Sequence, residues 1–216
     1  MITKLSKAAL LTLAFALVFV RFPAASAAES DPAAVQIRTF YAALVDSMKH
    51  GRELGMRGRY QALAPAVDAA FNIPTMIQFI VGASWASMPD ADHRALIEAF
   101  RRMTIANYAS NFDDFHGERF DVDPNVQSRG LDRFVQTTLV PSDGKPVPLD
   151  YRMRETAGSW KIIDVLLNGY VSELAMRRSD FASTLAKGGP AALTEKLNAL
   201  ADNLLSGTKK PRADKS

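Results

Sequence analysis

Apolar residues change their spacing twice along this chain. From Asp31 to Phe115 they recur every three or four positions, the period of an α-helix packed on one side. From Arg119 to Leu167 they alternate, as in strands, and from Val171 onward the helical period returns. Asp31 followed by Pro32 predicts the first helix start, with a capping carboxylate and a proline at the first helical position. Ile37, Tyr41, Leu44, Val45 and Met48 carry its stripe to Gly51. Arg59 to Phe71 predicts a second helix, bent near Pro65. Pro74 opens a short, very apolar segment containing Met76, Ile77, Phe79, Ile80 and Val81. Pro89 opens the longest helix, whose stripe runs through Phe112 and Phe115 and which Gly117 is expected to end.

Strands are predicted at 119–122, 133–140, 147–154 and 160–167. In the third, Leu149, Tyr151 and Met153 face one way, and Asp150, Arg152 and Arg154 the other. Short turns between these runs predict an antiparallel meander. Two helices follow, separated at Gly188-Gly189-Pro190. The expected fold class is α+β: a twisted antiparallel sheet of about four strands, packed with N- and C-terminal helices. A curved sheet with an apolar cavity between it and the helices would resemble the nuclear-transport-factor-like fold; the element order alone leaves a filled core equally open.

The start of the chain reads differently. Lys4 and Lys7 precede an unbroken apolar run from Ala8 to Val20, and Ala25-Ser26-Ala27 offers a cleavage site. This is the pattern of a secretory signal peptide, and the run is too short for a spanning helix. The expected organisation is a leader at 1–27, one domain at 28–207 and a disordered basic tail at 208–216, with the mature protein outside the cytoplasm. The leader holds three basic residues and no acidic one, so removing it leaves 23 of each sign and formal neutrality. Such a balance gives no support to nucleic-acid binding. The chain has no cysteine, which excludes disulfides and a lipid-modified cysteine.

Catalytic patterns are sparse. His50, His93 and His116 stand in no metal-ligand spacing, and no glycine-rich phosphate loop or Gly-x-Ser-x-Gly turn occurs. The expectation is therefore no enzyme, no metal and no cofactor. Asp164 is the exception, a carboxylate inside an apolar strand. It is expected to hold a structural partner such as an arginine; the alternative is a general base acting on an apolar substrate, with Tyr151 as donor. The apolar surplus fits either a filled core or a cavity. In the cavity reading, Ile77, Phe79, Ile80, Phe112, Phe115, Leu149, Tyr151, Met153, Trp160, Ile162 and Leu166 form the wall. Arg177 and Arg178 would then meet a headgroup or a partner protein. A docking module with no ligand is a third reading, but it has no need of the apolar surplus.

The ordered set Pro148-Leu149-Asp150-Tyr151-Arg152-Met153-Arg154, Gly158-x-Trp160-Lys161-Ile162-Ile163-Asp164-Val165, Gly169, Ser172, Arg178-Ser179-Asp180-Phe181, Gly188-Gly189 and Leu193 resembles the MlaC-type toluene-tolerance family. Phe100 to Thr104, Tyr108-Ala109, Phe112 and Gly117 extend the likeness upstream. The stretch Gly169-Tyr170-Val171-Ser172-Glu173-Leu174-Ala175, followed by Arg177-Arg178-Ser179-Asp180-Phe181, departs from better-known members and resembles the hopanoid-associated HpnM branch. The resemblance implies a periplasmic protein that carries a phospholipid or hopanoid between the two membranes of a Gram-negative cell. It further implies an inner-membrane transport complex, and an outer-membrane lipoprotein, as partners.

Overall fold

The computed structural model describes residues 31–207; the expected leader and basic tail lie outside the described residues. Helix α1 spans Pro32–Lys49, and Asp31 accepts the Ala33 N–H at 2.8 Å as its cap. Helix α2 spans Gly51–Ala70. Its break is at Gly55, at φ 58° and ψ −177°, and not at Pro65, which keeps helical dihedrals. That conformation is one only glycine adopts cheaply. Helix α3 spans Ile73–Val81, capped by Asn72 on the Thr75 N–H, and a 3₁₀ turn follows over Gly82–Ser87. Helix α4 spans Asp90–Asn111. It ends six residues before Gly117, because Asn111, Asp113 and Asp114 are poor helix interiors whose short polar side chains compete for backbone groups. Asp114, for example, accepts the Phe115 N–H at 3.0 Å.

The sheet has seven short strands: β1 Arg119–Val122, β2 Gln127–Arg129, β3 Asp132–Val135, β4 Thr137–Val140, β5 Val147–Thr156, β6 Ser159–Leu167 and β7 Val171–Ser172. All pairings between them are antiparallel. The expected strand at 133–140 is present as β3 and β4, parted at Gln136, and both pair with β5. β1 and β2 border it on the far side, so the four-stranded meander holds, with two strands in pieces. Asn168-Gly169 turns the chain into β7, which extends the sheet beside β6. Helix α5 spans Glu173–Leu205 and breaks at Gly189, at φ 63° and ψ −160°, as the Gly-Gly-Pro run predicts.

Helix α1 lies against β1, β3 and β6, while α2, α3 and α5 also reach β6. Helix α4 packs between α2 and α5. Ion pairs tie the helices at their outer faces: Arg101 grips Asp68 on α2 at 2.6 and 2.7 Å, and Arg102 reaches Asp202 on α5 at 2.5 Å. On the sheet, Asp132 accepts from both Arg152 and Arg154. Burial pushes the Asp132 carboxyl up, but the two guanidinium groups outweigh it and hold the group below the ordinary carboxylate range.

One irregularity matters for the site. Arg152 faces Asp164 across β5 and β6, yet Met153 faces Ile162, so Ile163 is an extra residue on β6. A bulge of this kind exchanges the two faces of a strand beyond it. Ile162 and Val165 both join the core, while Leu166 sits opposite Asp150 on the other side.

Candidate functional site

The space between helices and sheet is filled by side chains. Phe40 on α1, 1% exposed, is the centre of an aromatic layer. Its ring stands edge-on to Phe71 at 5.2 Å and to Tyr108 at 5.1 Å. Tyr108 stacks on Phe112, Phe112 meets Phe120, Phe120 meets Tyr41, and Tyr41 meets Tyr151. The expected apolar cavity is thus closed in this arrangement, because aromatic side chains from α1, α4 and the loop after α2 occupy it.

Eight of the eleven proposed wall residues meet in this one cluster. Ile77, Ile80, Tyr151, Met153 and Ile162 are buried in it, and Phe112, Phe115 and Trp160 pack on its edge. The structure leaves Phe79, Leu149 and Leu166 outside it. Phe79 is 46% exposed on the outer side of α3. Leu149 is half-buried at the sheet end, and Leu166 is turned away by the β6 bulge.

A polar thread crosses the apolar interior, which the spacing of residues did not disclose. The Thr137 hydroxyl donates to the Leu149 carbonyl and lies 2.7 Å from the Tyr41 hydroxyl. The Tyr41 and Tyr151 hydroxyls are 3.0 Å apart, and Tyr151 is hydrogen-bonded in turn to Tyr108. Burial pushes the Tyr41 phenol up to about 12, and raises Tyr108 and Tyr151 well above the ordinary value. The available signal was that three of the five tyrosines stand at apolar-stripe positions, where each must find a partner for its hydroxyl.

Between α3, α4 and α5 a void of about 10 Å³ remains, lined by Phe71, Met76, Phe100, Thr104, Asn107, Tyr108, Glu173 and Arg177. That is about the least that holds one water. Larger hollows lie at the surface. One of about 690 Å³ runs beside β1, β4 and the β6–β7 turn and carries Asp121, Asp123 and Asp150; another, of about 530 Å³, lies between α1 and β1.

Arg177 and Arg178 part company. Arg177 turns inward to the void and pairs with Glu173, one turn earlier. Arg178 lies over the Phe79 ring at 5.6 Å and donates to the Phe79 carbonyl at 3.4 Å. Its guanidinium rests on Gly82, where a Cβ would stand 2.8 Å from Nη2, so it serves as a strut on the end of α3. Among the described residues Asp164 finds no arginine. It accepts the Val165 and Leu174 N–H groups and the Ser172 hydroxyl, at 2.9, 3.2 and 2.6 Å. Burial raises its pKa, and these bonds oppose the rise. The carboxylate thereby fixes the entry of α5, where orphan N–H groups collect. Among the described residues no group of three or more His, Cys, Asp or Glu is placed to hold a metal ion.

Comparison with known proteins bears on this arrangement directly. The MlaC protein family model matches residues 38–199, three quarters of the chain. The chain belongs to the MlaC protein family. No curated protein matches it. Among solved structures, a phospholipid-binding protein from Ralstonia solanacearum, in complex with a phospholipid, superposes with a TM-score of 0.70 at 19% identity. The match covers 81% of this chain and 99% of that one. This MlaC-family chain therefore has the helix-covered antiparallel sheet of that protein.

Proposed function

We propose that the protein is a periplasmic lipid carrier, exported by a cleaved leader, that shuttles a phospholipid or hopanoid between inner and outer membranes. Family membership over residues 38–199 carries the reading, and the solved relative's phospholipid supports it. The apolar interior agrees. A lipid leaving a bilayer exposes about 0.8 kcal/mol per methylene, or ~12 kcal/mol for a chain of ~15 carbons, and only an oily, water-free interior replaces that loss. Entry takes place by parting the elements packed around the aromatic layer. The tyrosine thread lowers the cost of that parting, since its hydroxyls exchange one another for the ester or hydroxyl oxygens of the lipid. Delivery partners are an inner-membrane transport complex and an outer-membrane lipoprotein. The capping bonds of Asp164 support a binding role for the protein rather than general-base chemistry.

The test is chemical. Protein purified from a Gram-negative periplasm is extracted with organic solvent and the extract analysed by mass spectrometry. A phospholipid or hopanoid near one per protein is the expected result, and its mass distinguishes the two cargoes. Delipidated protein is expected to reload from vesicles. An empty extract together with failure to reload overturns the reading.

A further inference from the structure

We propose that Arg177 is the phosphate-recognising residue of the lipid site, and that Glu173 is a built-in anion that occupies it while the seam between α4 and α5 is closed. The inference rests on reading the protein as a phospholipid carrier. The Arg177 Nε and Nη2 both donate to one Glu173 oxygen, at 3.0 and 2.5 Å. Among the described residues Nη1 has only the Met103 thioether, at 3.2 Å, a weak acceptor for a charged donor. The guanidinium is therefore held by a single carboxylate oxygen, with one arm poorly satisfied. A phosphodiester offers two oxygens to the same fork and completes it.

Position gives the pairing its meaning. The Arg177 and Glu173 side chains are 21% and 24% exposed, so they stand between solvent and the small void. Behind the void come Phe71, Phe100 and Tyr108, and behind these Phe40 and the rest of the aromatic layer. Both side chains line the same void as Tyr108, which places them at the outer end of the tyrosine thread. A phosphate seated on Arg177 thus leaves its acyl chains pointing into the apolar interior. Arg178, the next residue along the helix, is engaged in bracing α3. An ordinary pair one helical turn apart faces water; this one borders a gap whose inner wall is Phe71, Phe100 and Tyr108.

The experiment follows transfer of two fluorescent lipids with identical chains, phosphatidylglycerol and diacylglycerol, from vesicles to delipidated full-length mature protein. Wild type is expected to favour phosphatidylglycerol. Arg177→Gln is expected to weaken its uptake about tenfold, while diacylglycerol uptake stays within about twofold. Glu173→Gln, which removes the competing anion, is expected to strengthen phosphatidylglycerol uptake several-fold. Arg177→Lys, which keeps charge but not the fork, falls between and serves if the Gln variant does not fold. Excess inorganic phosphate is expected to leave phosphatidylglycerol uptake intact; competition by phosphate in wild type but not in Arg177→Gln makes the site one for free phosphate and overturns the headgroup assignment. Equal loss of both lipids in the Arg177 variants, or weaker phosphatidylglycerol uptake in Glu173→Gln, overturns the inference alone. Wild-type protein that takes up neither lipid overturns the carrier reading as well.

Discussion

Phe40→Ala is expected to lower the unfolding free energy by about 3–5 kcal/mol. The residue is 1% exposed, and its ring makes edge contacts with Phe71 and Tyr108 that bring the ends of α2 and α4 onto α1. Truncation removes the transfer energy of the ring and the edge-to-face terms, and leaves a hole that the surrounding helices cannot fully close. Urea unfolding followed by circular dichroism checks this. The midpoint should fall with an unchanged slope, since the surface exposed on unfolding hardly changes. A loss below about 1 kcal/mol would mean that the aromatic layer is not packed as described. The same variant is expected to bind a small apolar dye that wild type excludes, because an apolar hole in a rigid core accepts apolar guests.

Gly51→Ala is expected to cost about 1–3 kcal/mol, although the residue lies at a helix start where alanine is normally welcome. An added Cβ would stand 2.0 Å from the Asp113 carbonyl oxygen and 2.9 Å from its carbon. Both are backbone atoms and cannot rotate away. The first turn of α2 must therefore move off the loop after α4, and with it the Gly51 carbonyl that accepts from the buried Arg59 at 2.7 Å. Arg59 also holds the Ala109 carbonyl near the end of α4, at 2.9 Å. Thermal unfolding measures the loss. A variant as stable as wild type would place the α2–α4 corner elsewhere.

Much of the fold was legible because the sequence states where the chain changes direction and which side of each element is oily. Asp31-Pro32 and the Gly-Gly-Pro run marked α1 and the α5 break correctly, and the four expected strands are present, one parted at Gln136, but β2 and β7 were not foreseen and Val171 is strand where helical spacing was read. What spacing does not carry is the point at which the backbone leaves its period. The stripe of α4 continues through Phe112 and Phe115, yet the chain departs at Asn111, and both rings reach the core from a loop. Pro65 drew attention from Gly55, but a proline late in a helix can keep its dihedrals whereas a glycine at positive φ cannot be helical. The extra Ile163 sent Leu166 to the far face, which no alternation rule can see without the partner strand. Adjacent arginines looked equivalent as 177 and 178; a rotation of 100° on the helix gave one to the void and the other to α3. The tyrosine hydroxyls depend on three-dimensional convergence of α1, α4 and β5, so only their need for partners was visible beforehand.

The tyrosine thread makes the protein its own optical indicator. Phenolate absorbs in the near ultraviolet where phenol does not, and Tyr41, Tyr108 and Tyr151 all resist ionisation while the core is shut. Their raised values favour the fold below about pH 10 and withdraw that support as alkali ionises the unfolded chain. In an alkaline titration, colour from these three rings therefore marks the moment water enters between helices and sheet, without any added label.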